Sequence, residues 1–192
     1  MTIITLSRQL SSRGDEIALA VAERLHLRLI GRELVNRAAS LALAPEVALF
    51  QIDELGLLGI RPSATAIQQY KERITEVITE FAAQDDLLLV GRGGQVVLAG
   101  DPNVLRVRVI APMTVRISSM RAESGISESA ARARIDASDE ARNNYHRRIF
   151  GVRPDDPGLY DLVINTAEIS IQVSVEIICV AALAKRKAAR TP

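Results

Sequence analysis

The stretch Thr2-Ile3-Ile4-Thr5-Leu6-Ser7-Arg8-Gln9-Leu10-Ser11-Ser12-Arg13-Gly14-Asp15-Glu16-Ile17-Ala18 decides the fold. Thr2 to Leu6 is a short apolar run of strand type. From Asp15 to Leu25, the residues Ile17, Ala18, Val21, Ala22 and Leu25 fall on one face of a helix. Between them, Ser7 to Gly14 forms a loop of mostly small and basic residues. A strand that enters a helix through such a loop presents outward-pointing amide groups to a phosphate. The full phosphate-loop pattern is G-x-x-x-x-G-K-[ST]. This loop has one glycine, no lysine, and Asp15 near the place of the metal-binding hydroxyl.

Outward from this stretch, apolar runs alternate with helical patterns. That order predicts an α/β fold of three layers, α/β/α, on a parallel sheet. Leu27 to Ile30 reads as a second strand, and Gly31-Arg32-Glu33 leads into a helix carrying Leu34, Val35, Ala38 and Leu41. Pro45 opens a further helical turn over Glu46 to Leu55. Ser63 or Thr65 caps a long helix with Ile67, Tyr70, Ile74, Val77, Ile78 and Phe81 at helical spacing. Leu87-Leu88-Leu89-Val90 is a continuous apolar run, the mark of a strand buried on both faces. Val104 to Ala111 alternates Leu105, Val107 and Val109 with Arg106 and Arg108, and Pro112 opens a helix to about Arg121. A charged helix follows, about Glu128 to Arg148. Tyr160 to Asn165 is the last strand, and Ser170 caps a final apolar helix. No repeat or linker divides the chain, so residues 1–192 read as one domain, with a lid-like segment at about 128–155 and a tail at about 186–192.

The formal net charge of +1 gives no electrostatic reason to expect nucleic acid or a membrane as partner. The single cysteine, Cys179, excludes an internal disulfide and reads as a core thiol. The start lacks a signal-peptide pattern, and no window approaches about 18 consecutive apolar residues. A cytoplasmic location is the expectation. Nothing in the pattern fixes the oligomeric state. Of 24 basic residues only Lys71, Lys185 and Lys187 are lysines. Any phosphate handled here is therefore handled by arginine forks, although a coding bias toward arginine also accounts for the excess. His26 and His146 stand apart from any metal-ligand cluster, and His26 reads as the end of the first helix.

Open parallel sheets bind ligands outside the C-terminal ends of their strands. Four segments fall there: Ser7 to Gly14, Gly31-Arg32, Gly91-Arg92-Gly93-Gly94 and the start of the Pro112 helix. Arg92, in a turn after a buried strand, reads as a phosphate ligand. Arg32 reads equally as a ligand or as part of a helix start. On the charged helix, Asp139 and Arg142 share a face, and the helix is either a closing arginine segment or a solvated one laced with ion pairs. Asp15 poses a charge problem. A carboxylate about 4 Å from a phosphate costs roughly 4 kcal/mol at an effective dielectric near 20. The helix terminus returns only about 0.3 to 1 kcal/mol. Either Mg²⁺ or Arg13 offsets Asp15, or Asp15 merely stabilises a helix start capped by Ser12.

In order along nearly the whole chain, Ile4-Thr5-Leu6-Ser7-Arg8 with Gly14-Asp15-Glu16-Ile17-Ala18, Arg28 to Leu34, Val90 to Gln95, Arg106 to Pro112 and Asp161 to Thr166 resemble the cytidylate kinase-like family. The resemblance implies a nucleoside monophosphate kinase-type fold: a parallel sheet of about five strands, a phosphate-binding loop and a helical lid. It implies an ATP-dependent kinase using Mg²⁺, with CMP or a related nucleoside monophosphate as its small-molecule partner. Ser7, Arg8, Ser11, Ser12, Arg13, Gly14 and Asp15 would hold the donor, with Asp15 as the metal candidate. Arg32, Arg92 and Gly93 would meet the acceptor. Arg13, Arg92 and Arg142 would carry catalysis, helped by Arg147 and Arg148, and Asn165-Thr166 would lie near the donor base. The chain departs from cytidylate kinases in having Gly14 for lysine, Asp15 for serine and Gly93 for the aspartate after the Gly-Arg turn. It departs from the divergent relatives at Ser11 and Arg13, where glycine is expected, and at Gly31, where aspartate is. These departures define the alternative: a catalytically inactive nucleotide- or anion-sensing module of the same fold.

Overall fold

The computed structural model describes residues 1–31, 63–84 and 86–188. The helices expected over Leu34 to Leu41 and Glu46 to Leu55, and Arg32 itself, lie outside the described residues. Five parallel strands form one sheet: β1 (Ile3–Arg8), β2 (Arg28–Ile30), β3 (Leu87–Val90), β4 (Val104–Ile110) and β5 (Leu162–Asn165). Their spatial order is β2-β3-β1-β4-β5. The described helices are α1 (Gly14–Leu25), α2 (Ala64–Gln84), the single turn α3 (Gly94–Val97), α4 (Met113–Ser124), α5 (Glu128–Phe150) and α6 (Ile171–Ala188).

The alternation of side chains across the strands builds two cores. Ile4, Leu6, Leu88, Val90, Leu105, Val107 and Val109 meet α1 and α6 on one face. Ile3, Leu87, Leu89 and Val104 meet α2 and the end of α5 on the other. The run Leu87 to Val90 is continuous and apolar because β3 is paired on both edges, with β1 and β2, and buried on both faces. Full burial of each leucine stabilises the fold by about 1.5 to 3 kcal/mol. Cys179 is a core thiol, and burial raises its pKa.

Helix starts follow local chemistry at α2, α5 and α6. Ser63 Oγ accepts from Ala66 N at 3.1 Å, Ser127 Oγ from Ala130 N at 3.2 Å, and Ser170 Oγ from Val173 N at 3.3 Å. Three of the described helices start without a side-chain cap: α3 after Gly93, α4 after Pro112, and α1. The N-cap residue of α1 is Arg13, in the left-handed region at φ 61°. Ser12 is not the cap. Its hydroxyl turns inward and donates to the carbonyls of Gln9 (2.8 Å) and Val109 (3.4 Å). His26 ends α1, as its position suggested.

Candidate functional site

The loop from β1 to α1 is fastened to its neighbours rather than shaped by glycine. Gln9 N donates to Val109 O at 3.1 Å, and Gln9 Oε1 accepts from Ala111 N at 3.0 Å. Thr166, at the end of β5, donates to Ser12 O at 3.0 Å and to Ile110 O at 3.3 Å. These bonds hold Ser11 and Arg13 at φ 57° and 61°, a region that costs a non-glycine residue roughly 1 kcal/mol or more. Gly14 is required for a different reason. A Cβ there would lie 2.5 Å from Arg8 Cβ, so α1 starts in contact with the strand end.

The charges of this loop pair across it. Arg8 Nε donates to Asp15 Oδ1 at 2.9 Å. Arg13 forks onto Glu16, 3.0 Å at each oxygen, and both side chains are half exposed. Arg13 therefore does not offset Asp15; Arg8 does. The Arg8 guanidinium also reaches Gly91, whose missing Cβ would lie 3.3 Å from Arg8 Nη1.

After β3 the chain reverses through three successive left-handed residues, Gly91 (78°), Arg92 (56°) and Gly93 (74°). This turn directs Arg92 into the protein, where it is 8% exposed. Its guanidinium lies 4.7 Å from the centre of the Tyr145 ring, and Nη1 donates to the Tyr70 hydroxyl at 3.3 Å. Gly93 packs beneath Phe150: a Cβ would stand 2.2 Å from the ring. The sequence has six aromatic residues other than histidine, three Tyr and three Phe. Four of them, Tyr70, Tyr145, Phe150 and Tyr160, surround this region, so it receives most of the rigid, ring-bearing surface the chain possesses.

Helix α5 roofs the site. Arg116, 4% exposed on α4, holds it by a two-bond fork to Asp139 (3.1 and 2.8 Å). Asp139 thus pairs with Arg116 and leaves its helix neighbour Arg142 to donate to Ser138 Oγ. One turn further, His146 is buried. Its Nδ1 meets the Arg142 carbonyl at 2.8 Å, so that nitrogen carries the proton and Nε2 accepts from Gln95 Nε2 at 3.0 Å. Burial pushes the His146 pKa down, and the guanidinium charges of Arg108, Arg92 and Arg142 push the same way, so the ring is neutral at neutral pH.

Between these elements lies a cavity of 430 Å³. Its described lining includes Ser7, Arg8, Asp15, Gly91, Arg92, Ser138, Arg142, Tyr145 and His146, with Ala18, Leu19, Leu29 and Val90 as an apolar wall. The structure thus brings together Ser7, Arg8, Asp15, Arg92 and Arg142 of the expected site. Ser11, Ser12, Arg13, Gly14 and Gly93 are not among the described lining residues. Arg147 and Arg148 are exposed, with Arg147 beside a separate hollow. Sequence reasoning missed His146, Tyr145, Tyr70, Gln95 and Arg108. The one available signal was spacing: Arg142 and His146 are four apart, and Arg108 alternates with the apolar residues of β4.

A parallel sheet in this order, a strand–loop–helix at its centre and arginines over its C-terminal edge define a kinase-like fold of the phosphate-loop class. A solved structure of an uncharacterised Eubacterium ventriosum protein superposes with a TM-score of 0.76 at 18% identity, covering 96% of this chain and 99% of that one. Shikimate kinase of Bacteroides thetaiotaomicron superposes at 0.53 with 14% identity over 92% and 96%. The chain belongs to the cytidylate kinase-like family, whose profile matches residues 3–168. It is 33% identical to the cytidylate kinase of Methanopyrus kandleri over 96 residues, and 26% identical to that of Ignicoccus hospitalis over 178. These alignments cover 46% and 93% of this chain, and 50% and 97% of the two enzymes. A 97-residue stretch, half of this chain, aligns at 29% identity with 19% of the uronate isomerase of Corynebacterium glutamicum. Among the described residues no helix is long and apolar enough to cross a membrane.

Proposed function

We propose that this chain is an ATP-dependent kinase of a nucleotide or small metabolite, with CMP or a related nucleoside monophosphate as acceptor. The observation that carries this reading is the presence of Arg8, Arg92 and Arg142 around one cavity over the sheet's C-terminal edge, against Asp15 as the one carboxylate among the described lining residues. Phosphoryl transfer is catalysed chiefly by positioning and by charge placed around the moving group. In this reading Arg92, fixed by Tyr145 and Tyr70, holds the acceptor phosphate. Arg8 and the uncapped amides of α1 face the donor, and Arg142 on the lid helix closes over the transferring group. An acceptor oxygen attacks the terminal phosphorus of ATP as the bond to the leaving diphosphate breaks.

Mg²⁺ fits Asp15. One carboxylate oxygen is tied to Arg8, yet the side chain is 72% exposed. This ion uses one or two carboxylates together with substrate phosphates and water. Bound with ATP, it would neutralise phosphate charge that Asp15 otherwise repels.

The second reading, a nucleotide- or anion-sensing module without turnover, is favoured by the loop itself, which has no lysine and holds Ser11 and Arg13 at positive φ. A phosphoryl-transfer screen with ATP, Mg²⁺ and each nucleoside monophosphate separates the two. Diphosphate product from one acceptor supports the kinase. ATP binding without turnover on any acceptor supports the sensing module.

A further inference from the structure

We propose that a small cavity beneath α5 binds a tetrahedral oxyanion, with Arg108 of β4 as its principal cation. The cavity measures 110 Å³, adjoins the larger one through Ser7, Arg8, Arg142 and His146, and admits a phosphate-sized anion but no nucleoside. Arg108 lies beside the loop because β1 and β4 pair Ser7 with Arg108. Its Nη1 donates to Ser7 Oγ and to the Tyr160 hydroxyl, each at 3.2 Å, and the guanidinium stacks 5.5 Å from the Tyr160 ring centre. All these partners are neutral. Among the described residues, no carboxylate stands within 4.0 Å of Arg108. A half-buried guanidinium ordinarily acquires an anionic partner.

The carboxylates that line the same cavity each have a closer arginine partner, and Asp155 also feels the Arg108 charge. Asp139 forks with Arg116, and Asp155 with Arg153 at 3.2 and 2.9 Å. Arg8 brings a second cation, held at Asp15, and Arg142 borders the cavity from α5. Burial lowers the His146 pKa most, and the charges of Arg108, Arg92 and Arg142 push it the same way. Arg108 thus supplies, from the neighbouring strand, the charge that the loop lacks as lysine. The identification of the anion as phosphate rests on the kinase reading; the anion site itself does not.

The test is titration of the full-length protein with inorganic phosphate and with pyrophosphate, without metal, followed by calorimetry and by the imidazole signals of His146 and the distant, exposed His26. Binding should move His146 and raise its pKa while leaving His26 in place. Arg108→Gln should weaken affinity at least about tenfold, as loss of a charge-assisted bond does, and Arg24→Gln on the outer face of α1 should not. Equal affinity in Arg108→Gln, binding that leaves His146 unmoved, or no binding overturns the proposal. His146 lines both cavities, so the assignment to Arg108 rests on its variants. Where Arg108→Gln fails to fold, Arg108→Lys, which keeps the charge and loses the fork, should also weaken binding, and equal affinity there overturns the proposal. Because no turnover is needed, a failed phosphoryl-transfer screen leaves this result standing, and the converse holds.

Discussion

Arg8 Nε lies 2.9 Å from Asp15 Oδ1, joining the end of β1 to the first turn of α1 across the loop. The carboxylate that would repel a bound phosphate is therefore balanced by the strand it follows. The arginine closer in sequence, Arg13, is spent on Glu16.

This pairing sets the outcome of Asp15→Asn. An ion pair so exposed contributes about 1 kcal/mol or less, so the melting temperature should fall by no more than a few degrees. ATP affinity without metal should rise, since a negative charge has left the phosphate's side. The further gain on adding Mg²⁺ should shrink. Calorimetric titration with and without Mg²⁺ reads both effects. An unaltered metal dependence would leave Asp15 as a helix-start residue only.

Arg92→Lys keeps the charge but loses the planar fork and the stack on Tyr145. If a phosphoryl-transfer activity is present, kcat/KM for the acceptor should drop at least about tenfold, corresponding to a loss of about 1.4 kcal/mol or more. Far-ultraviolet circular dichroism should be unchanged. Unchanged kcat/KM would remove Arg92 from the site.

Gly93 tests the contact between the turn and the roof. Gly93→Ala adds a Cβ 2.2 Å from Phe150 at a φ of 74°, and should destabilise by roughly 1 to 3 kcal/mol in urea unfolding. Combined with Phe150→Ala, which clears the ring, the two costs should be less than additive by at least about 0.5 kcal/mol. Strict additivity would mean that the turn and the roof do not meet.

His146 predicts a pH window. Its folded pKa lies below the ordinary 6.5, so the unfolded chain binds the proton first on acidification. This group's contribution is present above 6.5 and is lost as pH falls from there through the lower folded value. Asp161, bonded to Arg106 and Lys185, is also lowered from 3.8, so its contribution survives until far more acidic conditions. Between pH 7.5 and 5.5, wild type should lose more stability than His146→Gln. Parallel curves would show that His146 titrates as it does in water.

Much of this fold was legible in the sequence. The doubly buried β3 left a continuous apolar run, and α5 announced itself as a long charged stretch from about Glu128. The ends of the elements shifted by a residue or two, as at Leu162, where the edge strand β5 begins after Tyr160 and Asp161 have turned to other partners. The expected arginine cluster was legible in part. Arg8, Arg92 and Arg142 do share a cavity, but nothing local distinguished the loop's paired Arg13 from Arg8, because the deciding contacts are steric and electrostatic. The aromatic support of Arg92 was not legible: Tyr70 lies 22 residues away along the chain, and Tyr145 53. Only the packing of α2 and α5 on one face of the sheet brings them together. Gly93 resembled a ligand-facing glycine, yet it gives way to Phe150, a contact made 57 residues later.

In the kinase reading, one cleft holds a donor and an acceptor phosphate side by side. The most direct measurement is calorimetric titration with a bisubstrate analogue, adenosine and cytidine joined by five phosphates, compared with ATP and CMP alone. Joined ligands that engage two adjacent subsites bind about 10² to 10⁴ times more tightly than the separate ones. The analogue should bind at least about a hundredfold more tightly than ATP, with one site per chain and a marked loss in Arg92→Lys. An analogue that binds no better than ATP, or that ignores the Arg92 substitution, would contradict that reading.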